Sequence, residues 1–487
     1  MDKITITVEI NLDKKENSGF EELVASAYEF SMQFGRELVS RALEARDEEL
    51  RKSRDKGRYR CKGKQQTSIK TRLGAIEINR SVYKDNTVVD GTKYVYLLDE
   101  ELGIEKIGQI AREVCEAAGE LACSCSYREA AKAITENTGL SISAQGVWNI
   151  VQALGEQRRE QVKRHAELAR MGQGVGCIES KILYEENDGV WLKLQGKDRE
   201  ECGPSKEMKA GIAYDGVTWQ PCKGGKKRRT LDCKVAHAGI EPAKEFRESK
   251  EGVIASCYDV KAVELRVING DGASWIQKKG KGACICVLDK FHRNKKLTEC
   301  ITDKDFLQTA RMLLYDNRID DLLACIEAQI NSTEDAAERD KLQELLAYYT
   351  ENKDAMTGPY ERDILIPETR NPGVIHHARL GSMESNIFTL IGNRMKDRRC
   401  CWSIKGANHL ASLLCLKHTV GLDGLFSGIE PLPAPKEVWI DTGKPLSASM
   451  IPMTSGRGNE CYNRTSLPNI PWLKDVTAYH SFTDLSF

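Results

Sequence analysis

The stretch from Lys181 to Gln195 constrains this chain most, because two apolar runs with strand character flank the pair Asp188-Gly189. Alternating apolar positions favour half-buried strands, and Asp-Gly is a common turn signal. We therefore expect two hairpin-connected strands, 181–185 and 190–195, with Asp188 at a strand end. A carboxylate in that position can serve chemistry, or can simply end the strand as a turn residue.

A second Asp-Gly pair repeats this arrangement downstream, where an apolar, β-branched run over 264–270 leads to Asp271-Gly272. Residues 283–288 form a further, nearly continuous apolar run suited to the middle of a sheet. Between them and the first hairpins, residues 255–263 favour a short helix. Antiparallel strands, a helix and two more strands is the order of the ribonuclease H-like fold, an α/β fold with a mixed sheet.

At 487 residues the chain is long enough for two to four domains. Helical periodicity over 302–352 predicts an α-helical insertion in the sheet domain, and the region before the sheet is predicted to be α+β. The predicted divisions are 1–60 (a strand and an amphipathic helix), 61–172 (DNA-binding region), 175–298 and 370–425 (the two parts of the sheet domain), 299–358 (helical insertion) and 426–487 (tail).

Positive charge is concentrated in one segment although the whole chain has a net charge of +0. From Arg51 to Lys84 there are twelve Lys or Arg residues against Asp55 and Glu77, a net charge of +10. Part of this segment, residues 67–83, alternates with period two around Gly74 and predicts a hairpin. Shorter basic runs occur at 223–229, 290–296 and 394–399. This distribution makes nucleic acid a reasonable partner.

Residues 126–154 are typical of a helix-turn-helix. Ser126 and Glu129 predict a capping box, Gly139 predicts the C-terminal stop of the first helix, and Ser143 predicts the cap of the second. Helical hairpins of this kind also occur as plain packing units. If this one binds DNA, the exposed candidates on its second helix are Gln145, Trp148 and Asn149.

Other features exclude several classes of protein. The seventeen cysteines include no C-x-x-C pair, which argues against a zinc ribbon, and reduced core thiols are expected. No apolar run is long enough for a membrane helix, and the first residues lack a signal peptide, so we expect a cytoplasmic, nucleoid-associated protein without a membrane partner. The chain has no phosphate-binding Gly-x-x-x-x-Gly-Lys-Ser/Thr loop.

Carboxylates from separate elements can serve phosphodiester chemistry, because two divalent ions held by oxygen ligands shield the phosphate and activate the attacking oxygen. Asp188 and Asp271 follow strand-like runs, and Glu384 lies early in a predicted helix over 379–395. Glu361 and Glu368 are alternatives to Glu384 on local grounds.

The sequence resembles the ISLre-type bacterial insertion-sequence transposases, which are Mutator-related. The resemblance covers residues 65–416 and rests on 71–80, on Glu186-Asn-Asp-Gly-Val-Trp191, on Gly270-Asp-Gly272, on Leu288-Asp-Lys-Phe-His292, on Glu384 with Asn393-Arg-Met, and on Trp402-Ser-Ile-Lys-Gly406. It implies a DDE transposase with Asp188, Asp271 and Glu384 as catalytic metal ligands. It also implies Mg²⁺ as cofactor, with Mn²⁺ as a substitute, and prefers Glu384 over the two alternatives.

The implied substrates are double-stranded DNA at the transposon terminal inverted repeats and at the target site, bound by a homo-oligomer. The predicted DNA contacts are Arg72, Arg80, Gln145, Trp148, Asn149, Lys226, Arg228, His292, Arg293, Arg394, Lys396 and Trp402. His292 either contacts DNA or steadies the active site, and Trp402 either packs in the core or stacks on a base. Two other hypotheses stay open: a DNA-binding regulator or inactive transposase-derived protein, and a structure-selective nuclease of the same fold.

Overall fold

The computed structural model describes residues 20–88, 93–103, 109–221, 227–276, 283–359, 362, 366–367, 380–396 and 400–425. The chain forms two compact units, which divide between Leu154 and Gly155. The strand predicted at the N-terminus and the predicted C-terminal tail lie outside the described residues.

The N-terminal unit begins with α1 (Phe20–Ser53), the amphipathic helix predicted from the sequence. Strands β1 (Tyr59–Thr71) and β2 (Gly74–Asp85) then form the predicted hairpin, and β3 (Lys93–Val95) pairs with the end of β2. Ile69, Ile76 and Ile78 are buried against apolar side chains of α1. The outward positions of β1 carry exposed lysines.

Polar side chains of α1 cover the edge of β2. Glu44 accepts the backbone N–H of Asn79, and buried Asp47 accepts both the N–H and the hydroxyl of Ser81. An exposed strand edge invites pairing with another chain. Here side chains of α1, and not another strand, accept the hydrogen bonds at this edge of β2.

Among the described residues, four further helices follow: α2 (Leu97–Leu102), α3 (Arg112–Ser124), α4 (Tyr127–Asn137) and α5 (Ala144–Arg170). The predicted capping box of Ser126 and Glu129 is present at the start of α4, and Ser143 Oγ accepts the N–H of Gly146 at the start of α5. Gly139 has a different role from the one predicted. Its backbone does not adopt the left-handed conformation of a helix stop; instead a Cβ there would lie 2.6 Å from the carbonyl oxygen of Leu73.

The second unit contains a mixed sheet built, among the described residues, from five strands. They are β4 (Ile182–Lys193), β5 (Ser205–Tyr214), β8 (Val235–Gly239), β9 (Leu265–Gly270) and β10 (Ala283–Leu288), in the spatial order β10-β9-β4-β5-β8. Strands β4, β5 and β8 are antiparallel neighbours, whereas β9 and β10 run parallel to β4. The helix α6 (Gly196–Cys202) connects β4 to β5, and β6 (Gly216–Pro221) pairs with β7 (Lys227–Asp232) as a separate ribbon.

Two predictions about these strands are wrong. Asp188 does not end a strand, because β4 is continuous and pairs with β5 from Tyr184 to Lys193. Gly189 is needed for close packing within the sheet, since a Cβ there would lie 2.2 Å from Glu207 Oε1. Strand β10 lies at the edge of this sheet and not in its middle.

Helices pack against the centre of the sheet and against its edge strand β8. The short helix predicted over 255–263 was wrong in position: helix α7 spans Ala243–Cys257 and ends where that prediction begins. It packs with the second half of α5 over Leu183 and Ala213. Helix α14 (Ile404–Lys417) lies along β8, where Asn408 bonds both backbone groups of Ile240.

The helices predicted over 302–352 are present as α9 (Lys304–Tyr315), α10 (Ile319–Ser332) and α11 (Ala336–Glu351), and α8 (Lys290–Cys300) precedes them. These helices share an apolar core that reaches Leu288 of β10. A second helical run consists of α12 (Met383–Ile387), a π-helical turn (Phe388–Gly392) and α13 (Asn393–Met395). Within the part of the chain that the structure describes, no helix is both long and apolar enough to cross a membrane.

Candidate active site at the end of the parallel strands

Three aspartates lie side by side across the parallel strands. The register pairs Glu186 of β4 with Asn269 of β9, so two residues further on Asp188 comes beside Asp271. Leu288 of β10 pairs with Gly270, and the N–H of Asp289 donates to the Gly270 carbonyl at 2.7 Å. β9 ends at Gly270 and β10 ends at Leu288, so Asp271 and Asp289 directly follow their strands. Asp188 lies within β4 at the same level, and all three carboxylates therefore lie at the C-terminal ends of β9 and β10.

The surroundings of Asp188 destabilise the charged form of its carboxylate. Its Oδ1 accepts the N–H of Gly189 at 2.7 Å, and its Oδ2 lies 3.8 Å from Nε2 of His292. Burial raises the pKa of Asp188, and the negative charges of Asp271 and Asp289 raise it further, against the opposing effects of Gly189 and His292. A cation bound next to this carboxylate would therefore stabilise its charged form.

Asp289 is fully engaged in structure. Its Oδ1 caps α8 by accepting the N–H groups of Phe291 (3.0 Å) and His292 (3.1 Å), while its Oδ2 accepts Nδ2 of Asn269 at 3.2 Å. Asp289 is therefore the N-cap residue of α8. Because the cap fixes the first turn of α8, it also fixes His292 next to Asp188.

The C-terminal part of helix α11 contacts the backbone of Asp271. Tyr348 of α11 donates its hydroxyl to the Asp271 carbonyl at 2.7 Å, and burial together with the nearby Asp271 and Asp289 raises the pKa of Tyr348 to about 12. Asp271 Oδ1 accepts the N–H of Ala273. Gly272 has φ +89°, and a Cβ there would lie 2.9 Å from Asn352 Oδ1, so only glycine fits this turn.

Behind Asp188, on the same face of β4, lies the fully buried carboxylate of Glu186. Its Oε1 accepts the hydroxyl of Tyr214 at 2.7 Å. Its Oε2 accepts Asn269 Nδ2 at 3.2 Å and three consecutive backbone N–H groups, from Gly381 (2.8 Å), Ser382 (2.9 Å) and Met383 (3.3 Å). These N–H groups start α12, whose first turn carries exposed Glu384. The alternatives Glu361 and Glu368 lie outside the described residues.

The donor chemistry of this edge suits a hard divalent cation. Magnesium takes oxygen ligands and is commonly held by one or two carboxylates together with water and substrate oxygens. Asp188 and Asp271 are partly exposed, and Asp188 needs compensating positive charge. Over the described residues, no three His, Cys, Asp or Glu side chains are grouped so that they could hold one metal ion. Asp188 and Asp271 are thus two carboxylates of the chemistry that Mg²⁺ or Mn²⁺ would need.

Four of the side chains predicted to contact DNA are buried and engaged within their own units. Arg80 forms an ion pair with Asp99 at 2.7 Å and stacks on Tyr96. Arg293 donates to the carbonyl of Met356. Trp402 donates Nε1–H to the Met395 carbonyl at 2.9 Å, and Arg394 lies over its ring. Trp402 therefore packs in the core, which was one of its two predicted roles, and these four side chains are not available to DNA in this conformation.

The remaining predicted contacts lie elsewhere on the two units. Gln145, Trp148 and Asn149 are exposed on α5, and Gln145 donates to Asn149 at 3.0 Å. Arg228 of β7 and Lys396 after α13 are also exposed. Arg72 is half-buried beside Glu113, and His292 is half-buried beside Asp188. Lys226 lies outside the described residues.

The sequence analysis did not identify Glu186, Asn269 or Tyr348 as part of the site. Asn269 lies 1% exposed between two carboxylates and donates to both Glu186 and Asp289. Its amide orientation is set by these two acceptors. A polar residue in an otherwise apolar strand, such as Asn269 or Glu186, was the available signal, because a buried polar group needs partners.

Comparison with known proteins gives a family and a curated relative. The profile described as "Uncharacterised protein family (UPF0236)" matches residues 14–424. A protein of Streptococcus gallolyticus named "UPF0236 protein in vanSb 3'region" is 22% identical over 433 residues, covering 87% of this chain and 87% of the relative.

Proposed function

The chain belongs to the uncharacterised protein family UPF0236, and we propose that this member is a DDE transposase of the Mutator-related ISLre type. It would bind the terminal inverted repeats of an insertion sequence, nick the DNA and join the freed 3′ end to target DNA. The observation that carries the proposal is the position of Asp188 of β4 beside Asp271, which follows the adjacent parallel strand β9. Asp289, which follows β10, lies at the same end of the sheet.

A ribonuclease H-like fold for the second unit is supported by strand order and direction. Three antiparallel strands, β4, β5 and β8, are followed by α7 and then by β9 and β10, which are added in parallel on the other side of β4. In such a sheet, polar groups that follow adjacent parallel strands converge at one edge. The helical insertion then follows β10, so it adds Tyr348 and Asn352 next to Asp271 without interrupting the sheet.

The chemistry proposed for this edge is in-line displacement at a phosphodiester. Divalent ions, when bound, would shield the phosphate charge and lower the pKa of attacking water. Asp188 and Asp271 would hold them. Glu384, exposed in the first turn of α12, is the third carboxylate that the resemblance implies, and among the described residues it is not grouped with both aspartates as a metal site. His292 restrains Asp188, and Asp289 fixes His292 through the cap of α8. Asn269 keeps Asp289 in place from below.

DNA binding is assigned to the N-terminal unit. Helices α4 and α5 would act as a helix-turn-helix in which Gln145, Trp148 and Asn149 reach base edges, since these three lie exposed at the start of the second helix. The outward lysines of β1 would contact phosphates. Joining two transposon ends in one complex requires at least a dimer of the protein.

Strand transfer in vitro tests the proposal. Purified protein is incubated with Mg²⁺ and a labelled duplex that carries the element's end, and nicked and joined products are separated. The wild-type protein should form joined products, and Asp271→Asn should lower their rate by roughly 1,000-fold, the equivalent of about 4 kcal/mol of transition-state stabilisation. Asp340→Asn, the same substitution on the exposed surface of α11, is the matched control and should keep full activity.

The other two hypotheses give different results in this assay. A structure-selective nuclease would cut the duplex without joining it and would not prefer transposon ends. A regulator or an inactive transposase-derived protein would bind the ends and leave them intact. Either result would overturn the proposed strand transfer.

A further inference from the structure

Glu186 stands out among the buried groups that direct metal binding does not use. It is 0% exposed, and its two oxygens together accept five hydrogen bonds. A buried carboxylate is costly unless hydrogen bonds satisfy it, and bonds to an ionised acceptor are stronger than neutral ones. Glu186 therefore connects the elements that carry its five hydrogen-bond donors.

The pattern of donors shows which elements these are. Tyr214 belongs to β5 and Asn269 to β9, so two bonds fix the Glu186 side chain within the sheet. The other three donors are consecutive backbone N–H groups, Gly381 to Met383, and all three converge on Oε2. One end of α12 is thus bound to the sheet through a single oxygen atom.

The direction of side chains along β4 and one further contact place this anchor relative to the site. Residues two apart on a strand point to the same face, so Glu186 lies below Asp188 on the face that α12 covers. Asn386, one turn further along α12, accepts Lys234 Nζ at 3.0 Å, which holds the next turn of the helix. The anchor therefore sets where the first turn of α12, with Glu384, lies above the sheet.

We propose that Glu186 is a positioning residue: by accepting the N–H groups of Gly381, Ser382 and Met383 it holds Glu384 on the face of the sheet that carries Asp188. This inference rests on the proposed function, in which Glu384 completes the active site. It assigns Glu186 no contact with DNA or metal. The carboxylate of Glu186 accepts backbone N–H groups at the start of α12, and Asn269 connects Glu186 to Asp289 and the cap of α8.

The test uses two variants of the full-length protein. Glu186→Leu has similar size and no acceptor, whereas Glu186→Gln can still present one oxygen to the three N–H groups. Hydrogen exchange is followed in the peptide that contains 381–383, with the start of α14, capped by Ser403, as an internal reference. Strand-transfer rates and affinity for the DNA end are measured on the same samples.

We expect Glu186→Leu to accelerate exchange in 381–383 by tenfold or more, with α14 unchanged. It should lower the strand-transfer rate by about 100-fold, the cost of a displacement of about 1 Å, at unchanged DNA affinity. Glu186→Gln should recover most of both losses. If the leucine variant does not fold, the glutamine variant decides, with a smaller change of the same sign in both measurements.

Unchanged exchange at 381–383 in a folded variant would overturn the anchor. Accelerated exchange with a wild-type strand-transfer rate would show that Glu186 does not act through Glu384, and would equally overturn the proposal. If the wild-type protein joins no DNA while exchange responds as expected, the anchor stands and the proposed function fails.

Discussion

His292 Nε2 lies 3.8 Å from Oδ2 of Asp188, and the two side chains come from different secondary-structure elements. Asp188 belongs to β4, whereas His292 is in the first turn of α8, directly after β10. β9, which precedes Asp271, separates these two strands in the sheet. The contact thus links β4 to α8, the helix that follows β10, across the strand that leads to Asp271.

Replacing Asp188 by Asn should stabilise the protein when no divalent ion is present. The pKa of Asp188 is raised by burial and by Asp271 and Asp289, so the charged form disfavours the folded state. A raised carboxylate pKa gives stability that is present at low pH and is lost as pH rises through the folded-state value. Urea denaturation in EDTA should therefore show Asp188→Asn above wild type at pH 7, with the difference closing near pH 3. A less stable variant at pH 7 would contradict this electrostatic account.

Two tryptophans should respond in opposite ways to alanine substitution. Trp148 is exposed on α5, so Trp148→Ala should leave stability unchanged and weaken binding of the DNA end by about 1–3 kcal/mol. Trp402 is buried and bonded to Met395, so Trp402→Ala should cost about 3–5 kcal/mol of stability. Fluorescence anisotropy with labelled duplex and urea denaturation separate the two. Unchanged DNA affinity in Trp148→Ala would remove α5 from the proposed interface.

A buried ion pair away from the site gives a pH prediction. Burial alone would raise the pKa of Glu241, but His237 at 3.3 Å and Arg159 at 2.8 Å outweigh it and lower that pKa to about 2. A lowered carboxylate pKa gives stability that is present above the unfolded value and is lost as pH falls toward the folded value. Glu241→Gln should thus be less stable than wild type by roughly 3 kcal/mol at pH 7.

The difference between Glu241→Gln and wild type should shrink between pH 4.5 and pH 2, the window of the shift. Guanidinium denaturation at pH 7 and pH 3 measures it. Parallel pH profiles of the two proteins would show that Glu241 is not held in its charged form by these partners.

Local patterns in the sequence predicted the elements, whereas contacts between distant residues decided their roles. Asp271 could be placed because an apolar, β-branched run ends there. Asp188 was misplaced because the continuation of β4 depends on its pairing with β5, which no local pattern shows. The metal role of Glu384 came from resemblance alone and stays a prediction.

Burial of charged residues was equally hidden from local patterns. Arg80 lies in the most basic segment, yet Asp99 and Tyr96 from another element take up its charge. Glu186 stands two residues from Asp188, but its partners at 381–383 lie almost 200 residues away in the chain. A side chain's charge can be taken from the sequence, whereas its partner follows only from the packing of the elements.

A change of metal preference tests most directly whether Asp188 and Asp271 hold catalytic divalent ions. Asp271→Cys replaces a hard oxygen ligand by sulfur, which Mg²⁺ rejects and Mn²⁺ tolerates better. Strand transfer is measured for this variant in each metal, with Asp340→Cys as control. We expect Asp271→Cys to lose activity in Mg²⁺ and to recover part of it in Mn²⁺, with the control active in both. Wild-type activity of Asp271→Cys in Mg²⁺ would contradict a metal-binding role for Asp271.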